Sequence, residues 1–287
     1  MISTWSATGL ALALGIAVAP SLSLAQHRAA ATTRDASGHM RRYYIAADEV
    51  NWTYVPTGVD LAVSGKKFDL SGLETRGLKD PNATTYRKAL YREYTDSSFR
   101  TLKPRAEAWT HLGILGPLIR AEVGDTIRIL FRNNASRPYS VHPHGVFYRK
   151  NAEGMGYQDG TSAGDKKDDA VLPGSSYLYE WTVPERAGPA RSDGSSAFWV
   201  YHSHVDEGPD INSGLIGPMI ITRRGMARPD GSPKDVDREF VAQFGLYDEP
   251  RSWYWPKNLQ ALYGDPSQYH GENEAMHQFH HYYTING

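Results

Sequence analysis

The segment Glu122-Val123-Gly124-Asp125-Thr126-Ile127-Arg128-Ile129-Leu130-Phe131-Arg132 decides the fold. Ile127, Ile129 and Phe131 alternate with Arg128, Leu130 and Arg132, the period of a strand with one face turned inward. Gly124-Asp125 supplies a turn that joins it to a preceding apolar run, Leu118 to Val123. Working outward, similar short runs rich in Ile, Val, Phe, Tyr and Trp occur at Tyr43 to Ala47, Tyr177 to Val183, Ala197 to His202 and Leu215 to Thr222. Gly, Pro, Asn and Asp separate them, so each reads as a short strand. The set predicts an all-β chain, an antiparallel Greek-key β-sandwich or barrel. Helical turns are expected only in connections, near 190–196 and 256–263.

Two of the strand-like runs border unusual pairs, His142-Pro143-His144-Gly145 and Tyr201-His202-Ser203-His204. Side chains at i and i+2 of a strand project to the same face, so each pair presents two imidazoles to one side. The chain has eleven histidines, and four of them fall in these two motifs. Neutral imidazole ligates copper, zinc, iron and nickel, and the residues alone leave that choice open. No His-Glu-x-x-His or Cys-x-x-Cys signature is present. A closed structural zinc site commonly takes its ligands from close pairs, often with cysteines. Here the pairs lie on different strands, which suits an open redox copper site at least as well.

Composition narrows the classes further. Lys plus Arg number 31 against 32 Asp plus Glu, a net charge of −1, which offers no electrostatic footprint for nucleic acid or an anionic membrane. The run Leu10 to Pro20 is too short to span a bilayer and suits the apolar region of a signal peptide covering 1–25, with Ser23-Leu24-Ala25 at the cleavage site. Residues 26–40 read as a mobile leader. Export to the periplasm or outside the cell is therefore expected. There are no cysteines, so neither disulfides nor a thiolate-ligated metal is available.

An internal repeat sets the domain organisation. Arg42-Tyr43-Tyr44-Ile45-Ala46, then Asp48-Glu49 and Trp52, recurs as Arg238-Glu239-Phe240-Val241-Ala242, then Asp248-Glu249 and Trp253. One complete domain over 41–224 is expected, followed at 225–287 by a linker and the opening strands of a second. A C-terminal extension packed on the first domain is the alternative.

Leu112-Gly113-Ile114-Leu115-Gly116-Pro117-Leu118-Ile119-Arg120-Ala121-Glu122-Val123-Gly124-Asp125, Asn133 to Gly145, Tyr201 to His204, and Ser213-Gly214-Leu215-Ile216-Gly217-Pro218-Met219-Ile220-Ile221 together resemble the multicopper oxidases, in particular the ceruloplasmin branch with its cupredoxin (plastocyanin-like) domains. The resemblance implies copper as cofactor. It assigns His142 to a type 2 copper, His144 to a type 3 copper, and His202 and His204 one to each type 3 ion. Asp159, in Asp159-Gly160, stands where the family often has an acid near the cluster, and is expected to act as proton donor or hydrogen-bond partner. The implied reaction takes electrons from a reduced substrate, Fe2+ among the options, and passes them to O2. A full trinuclear centre needs four further histidines, and a type 1 copper needs a Cys. Both must come from a second cupredoxin domain or chain. The rival reading is a copper-binding or interaction module without turnover. A nitrite-reductase-like protein fits less well, because its first domain carries the type 1 Cys.

Other features take the blander reading. His277, His280 and His281 read as a solvated loop, as do Asp165, Asp168 and Asp169 with Lys166 and Lys167. His111 reads as structural, and Asp206, Glu207 and Asp210 as an exposed acidic rim able to meet cations.

Overall fold

A computed structural model of the chain describes residues 38–59, 64–67, 84–265 and 280–287. The expected signal peptide, most of the leader and His277 lie outside the described residues. The described residues form one compact unit.

Two four-stranded sheets make the body of this unit. The first has the order β2 (Thr85–Glu93), β1 (Met40–Thr53), β4 (Thr126–Asn133), β6 (Ser176–Thr182). The second runs β3 (Ile119–Glu122), β8 (Ile216–Thr222), β7 (Ser196–His202), β5 (His142–Pro143). The expected alternation in β4 is met residue by residue: Ile127, Ile129 and Phe131 are fully buried, and Arg128, Leu130 and Arg132 are not. In β8 alternation is lost because nearly every residue is buried, as in a strand covered on both faces. The core joins Ile45, Tyr91, Phe131, Tyr179 and Trp181 of the first sheet to Ile119, Tyr201, Met219 and Ile221 of the second. This is a cupredoxin-like β-sandwich. The pairing is not wholly antiparallel as expected, because β1 lies parallel to β4 and β3 parallel to β8. Alternation within a strand fixes which face is buried but carries no information about the neighbour's direction.

The Gly124-Asp125 turn is held from inside. Gly124 adopts φ +102, and the Asp125 carboxylate accepts the backbone N–H groups of His39 and Glu122 and the Nε–H of Arg41 at 2.7 to 2.9 Å. One buried acid thus joins the start of β1 to the β3–β4 turn.

The repeated Gly-Pro elements serve a single side chain. A Cβ on Gly116 would come within 2.6 Å of the Tyr201 hydroxyl, and one on Gly217 within 2.3 Å of its ring. Both glycines make room for Tyr201, which is fully buried and donates to the Pro117 carbonyl at 2.7 Å.

Residues 225–287 supply a hairpin of β9 (Phe244–Asp248) and β10 (His281–Ile285), and the helix α2 (Trp255–Tyr263). The second copy of the repeat forms its strand at Phe244–Asp248 and not over Arg238–Ala242. Buried polar contacts tie this segment to β1 and β2. Asn258 accepts the Arg87 N–H at 2.6 Å, and the fully buried Lys88 pairs with the fully buried Glu249 while donating to the Asn212 carbonyl at 2.7 Å. Tyr54 donates to Glu249 at 2.5 Å, and Tyr254 donates to Glu49 at 3.1 Å. On the hairpin's other face, Phe244, Leu246, Tyr283 and Ile285 are exposed.

Two solvated-loop readings are corrected. His280 is fully buried, its two ring nitrogens bonded to the hydroxyls of Tyr86 and Tyr263 at 2.8 Å. Asp168 is also fully buried and accepts the Gly154 N–H at 2.7 Å. Polar runs read as solvated because local sequence cannot show a distant aromatic or amide that satisfies them. Among the described residues, no helix is long and apolar enough to cross a membrane.

Candidate metal centre

The two His-x-His motifs lie on adjacent strands. β5 pairs antiparallel with β7 so that His142 stands opposite His202 and Pro143 opposite Tyr201. His142, His202 and His204 are within 5.6 Å of one another by ring centroid, and His144 is 5.3 Å from His142 and 5.2 Å from His202. The fold therefore brings all four predicted histidines together.

Their nitrogens are oriented by the backbone. His142 Nδ1 faces the Glu153 carbonyl at 2.6 Å, and His202 Nδ1 faces the Ser203 carbonyl at 3.0 Å. A carbonyl only accepts, so each Nδ1 carries the proton and each Nε2 presents a lone pair. His144 Nε2 lies 3.0 Å from His202 Nε2. Two imidazole nitrogens each about 2.0 Å from one ion stand about 3 Å apart when the angle between them is near a right angle, so this pair fits a shared metal. His144 donates its Nε2 proton across the gap in the metal-free chain, and an ion would replace that proton. Burial pushes His142 down to about 4, opposed by its bond to Glu153 and aided by the neighbouring imidazoles. His202 is lowered chiefly by burial as well. Both are neutral at physiological pH, the state a ligand needs. Among the described residues no three His, Asp or Glu side chains already surround a single point as ligands of one ion.

A polar lattice behind the imidazoles fixes the two strands. Ser203, the middle residue of its motif, points away from the histidines and donates to the buried Asp210 at 2.6 Å while accepting the Ser140 N–H at 3.1 Å. Ser140 donates to the Gly154 carbonyl at 2.6 Å and accepts the His204 N–H at 3.0 Å. Asp210 also takes the N–H groups of Val205 and Asp206 and the indole N–H of Trp253 at 2.9 to 3.1 Å. Sequence reading missed Ser140 and Ser203 and placed Asp210 on an exposed rim. The available signal was Ser203 itself, a small polar residue two positions from the buried Tyr201 and so on the same inward face.

Gly145 follows the first pair at φ +81, and a Cβ there would lie 2.2 Å from the Trp199 ring. Trp199 is held by its indole N–H on the Ala187 carbonyl at 2.8 Å. The glycine lets the strand turn over the indole so that His144 faces His202.

Asp159 is held by Thr161 and flanked by two lysines. Its Oδ1 accepts the N–H and hydroxyl of Thr161 at 3.0 and 2.6 Å and pairs with Lys166 at 3.3 Å. Those bonds hold its carboxyl well below the usual range, so it is ionised at neutral pH. Its Oδ2 is shielded from solvent without a hydrogen bond and lies 3.9 Å from Lys150 Nζ. Glu207 lies at the histidines, 3.8 Å from His202 Nε2 and 3.6 Å from His204 Nε2.

Residues 94–225 match the family model described as "Multicopper oxidase". Ferroxidase HEPHL1 of Mus musculus is 45% identical over 86% of this chain and 21% of its own length. Hephaestin of Homo sapiens is 41% identical over 87% of this chain and 22% of its own. The venom prothrombin activator omicarin-C non-catalytic subunit of Oxyuranus microlepidotus is 46% identical over 76% of this chain and 14% of its own. The chain spans about a fifth or less of the length of these relatives.

Proposed function

The chain belongs to the multicopper oxidases, in their ceruloplasmin-like branch, and from that premise we propose that it supplies half of a type 2/type 3 trinuclear copper centre. His142 serves the type 2 ion, His144 and His202 share one type 3 ion, and His204 serves the other. The observation that carries this reading is the 3.0 Å approach of His144 Nε2 to His202 Nε2, with His202 Nδ1 committed to a backbone carbonyl. Copper bound by these histidines would supply the chemistry for reducing O2 to water, with Fe2+ as one candidate electron donor.

The chain's own residues do the rest. Burial keeps His142 and His202 unprotonated, and the Glu153 and Ser203 carbonyls hold their tautomers, as outer hydrogen bonds do for metal-ligating histidines. Ser140, Ser203 and Asp210 hold the strands that carry the ligands. Asp159, ionised and paired with Lys166, serves as a hydrogen-bond acceptor, a role its low proton affinity favours over that of donor. With no cysteine in the sequence, type 1 copper belongs to a second cupredoxin domain or chain, which also brings the other four histidines. The β9–β10 hairpin, with its exposed apolar face, is read as the opening of that second domain, following a first domain over 41–224. Export, with removal of 1–25, is part of the same proposal.

Copper analysis of the purified chain, alone and with its partner half, tests the assignment. Wild type is expected to retain copper, and His142→Ala and His202→Ala to lower both copper content and oxidase turnover. If neither form holds copper, or both variants match wild type, the reading fails. A second reading, a copper-binding or interaction module without turnover, is favoured by the missing cysteine and by similarity to a relative called a non-catalytic subunit. Copper retention without O2 consumption in the reconstituted protein would select it.

A further inference from the structure

Glu207 is the first residue of the helix α1 (Glu207–Ser213), three positions after His204. Its two carboxylate oxygens face two imidazoles at once, Oε1 toward His202 Nε2 at 3.8 Å and Oε2 toward His204 Nε2 at 3.6 Å. Among the described residues no Lys or Arg pairs with it. Its side chain is 54% exposed while that of His202 is 3% exposed, so Glu207 stands between solvent and the buried nitrogen. The backbone beneath it is fixed, because Asp210 gathers the Ser203 hydroxyl and the N–H groups of Val205 and Asp206. The result is an anchored stem with a free anionic head, aimed at the nitrogens that the proposed function assigns to the two type 3 ions. Nothing in the ligand assignment uses it.

We propose that Glu207 is the entry ligand for copper: a carboxylate that captures the cation at the rim and passes it to His202 and His204. This rests on the ligand reading above. A carboxylate attracts a divalent cation from solution and exchanges ligands readily, whereas neutral imidazoles recessed in a wall exert no long-range pull. Once an imidazole takes the ion, rotation of the exposed head releases it without disturbing the strand. The nearby acids do other work. Asp210 is buried and saturated by four donors, and Asp159 is paired with Lys166.

The test measures loading of the whole metal-free chain with copper(II), by stopped-flow quenching of tryptophan fluorescence, with bound copper counted at the end point. Glu207→Gln is expected to slow uptake roughly tenfold at low ionic strength, with the gap closing at high salt as the single charge is screened. Glu207→Asp, which keeps the charge on a shorter arm, falls between, and Asp206→Asn, which removes a neighbouring charge, stays within twofold of wild type. Uptake by Glu207→Gln at the wild-type rate, or equal slowing by Asp206→Asn, overturns the capture role while leaving the four-histidine assignment standing. Failure of the wild-type chain to take up copper removes the ligand reading itself and this inference with it.

Discussion

Replacing Lys88 by Met tests whether residues 225–287 are integral to the fold. Lys88 and Glu249 are both fully buried, one on β2 and the other 161 positions later, beyond β9. Lys88 lies between the rings of Tyr54 and Tyr247, at 5.5 and 5.0 Å. Methionine keeps the volume and removes the charge, leaving Glu249 with the Tyr54 hydroxyl and an Oε2 that already lacks a partner. Breaking a buried pair in this way costs about 3–5 kcal/mol. At about 2–4 °C per kcal/mol for a unit of this size, the melting temperature falls by roughly 6–20 °C. Burial already pushes the Glu249 carboxyl up against the pull of Lys88, and losing the cation raises it further. A carboxyl whose folded pKa exceeds its unfolded value favours the folded state below the unfolded pKa, and that advantage is lost as pH rises through the folded pKa. The deficit of Lys88→Met is thus greatest at neutral pH and shrinks on acidification. Adding Glu249→Leu removes the stranded charge and recovers most of the loss. Urea unfolding followed by circular dichroism at pH 7.5 and pH 5 reads these quantities. A loss below about 1 kcal/mol, or one equal at both pH values, refutes the reasoning.

Three further outcomes follow from the centre. Gly145→Ala forces a Cβ into the Trp199 ring at a backbone angle that disfavours side chains, and should cost about 2–4 kcal/mol in urea unfolding while weakening copper retention. Tyr201→Phe strands the Pro117 carbonyl in the core and should cost about 1–2 kcal/mol, with copper stoichiometry unchanged by metal analysis. In the metal-free chain, the His142 ring should titrate near 4 by NMR and not near 6.5. Because the unfolded chain takes up that proton first, stability should decline as pH falls from 6.5 toward 4, and His142→Gln should flatten that slope.

β4 was legible because burial on one face writes a period of two, as in Ile127, Ile129 and Phe131, whereas β8 was readable only as an apolar run and β2 was not among the expected strands. The four histidines were legible for the same reason, since i and i+2 share a face whatever lies across from them. Strand direction was not legible: the parallel pairing of β1 with β4 depends on a connection running from β2 to β3, which leaves no local mark. The supports of the site were also hidden. Ser140 meets Ser203 across 63 positions, and neither neighbourhood contains the other's donor or acceptor. His280 shows the same limit, a histidine in a polar stretch whose partners are tyrosines on β2 and α2.

The two Glu–Tyr bonds that tie the C-terminal segment to β1 have a wider meaning. Glu249 stands 200 positions after Glu49, and Tyr254 stands 200 after Tyr54. Tyr54 reaches Glu249 while Tyr254 reaches Glu49. The two bonds cross, each running from the tyrosine of one segment to the glutamate of the other, so the segments are clamped at two points. The junction thus resists rotation as well as separation. The two glutamates differ in their cations, because Glu249 faces a buried lysine and Glu49 the more exposed Arg87.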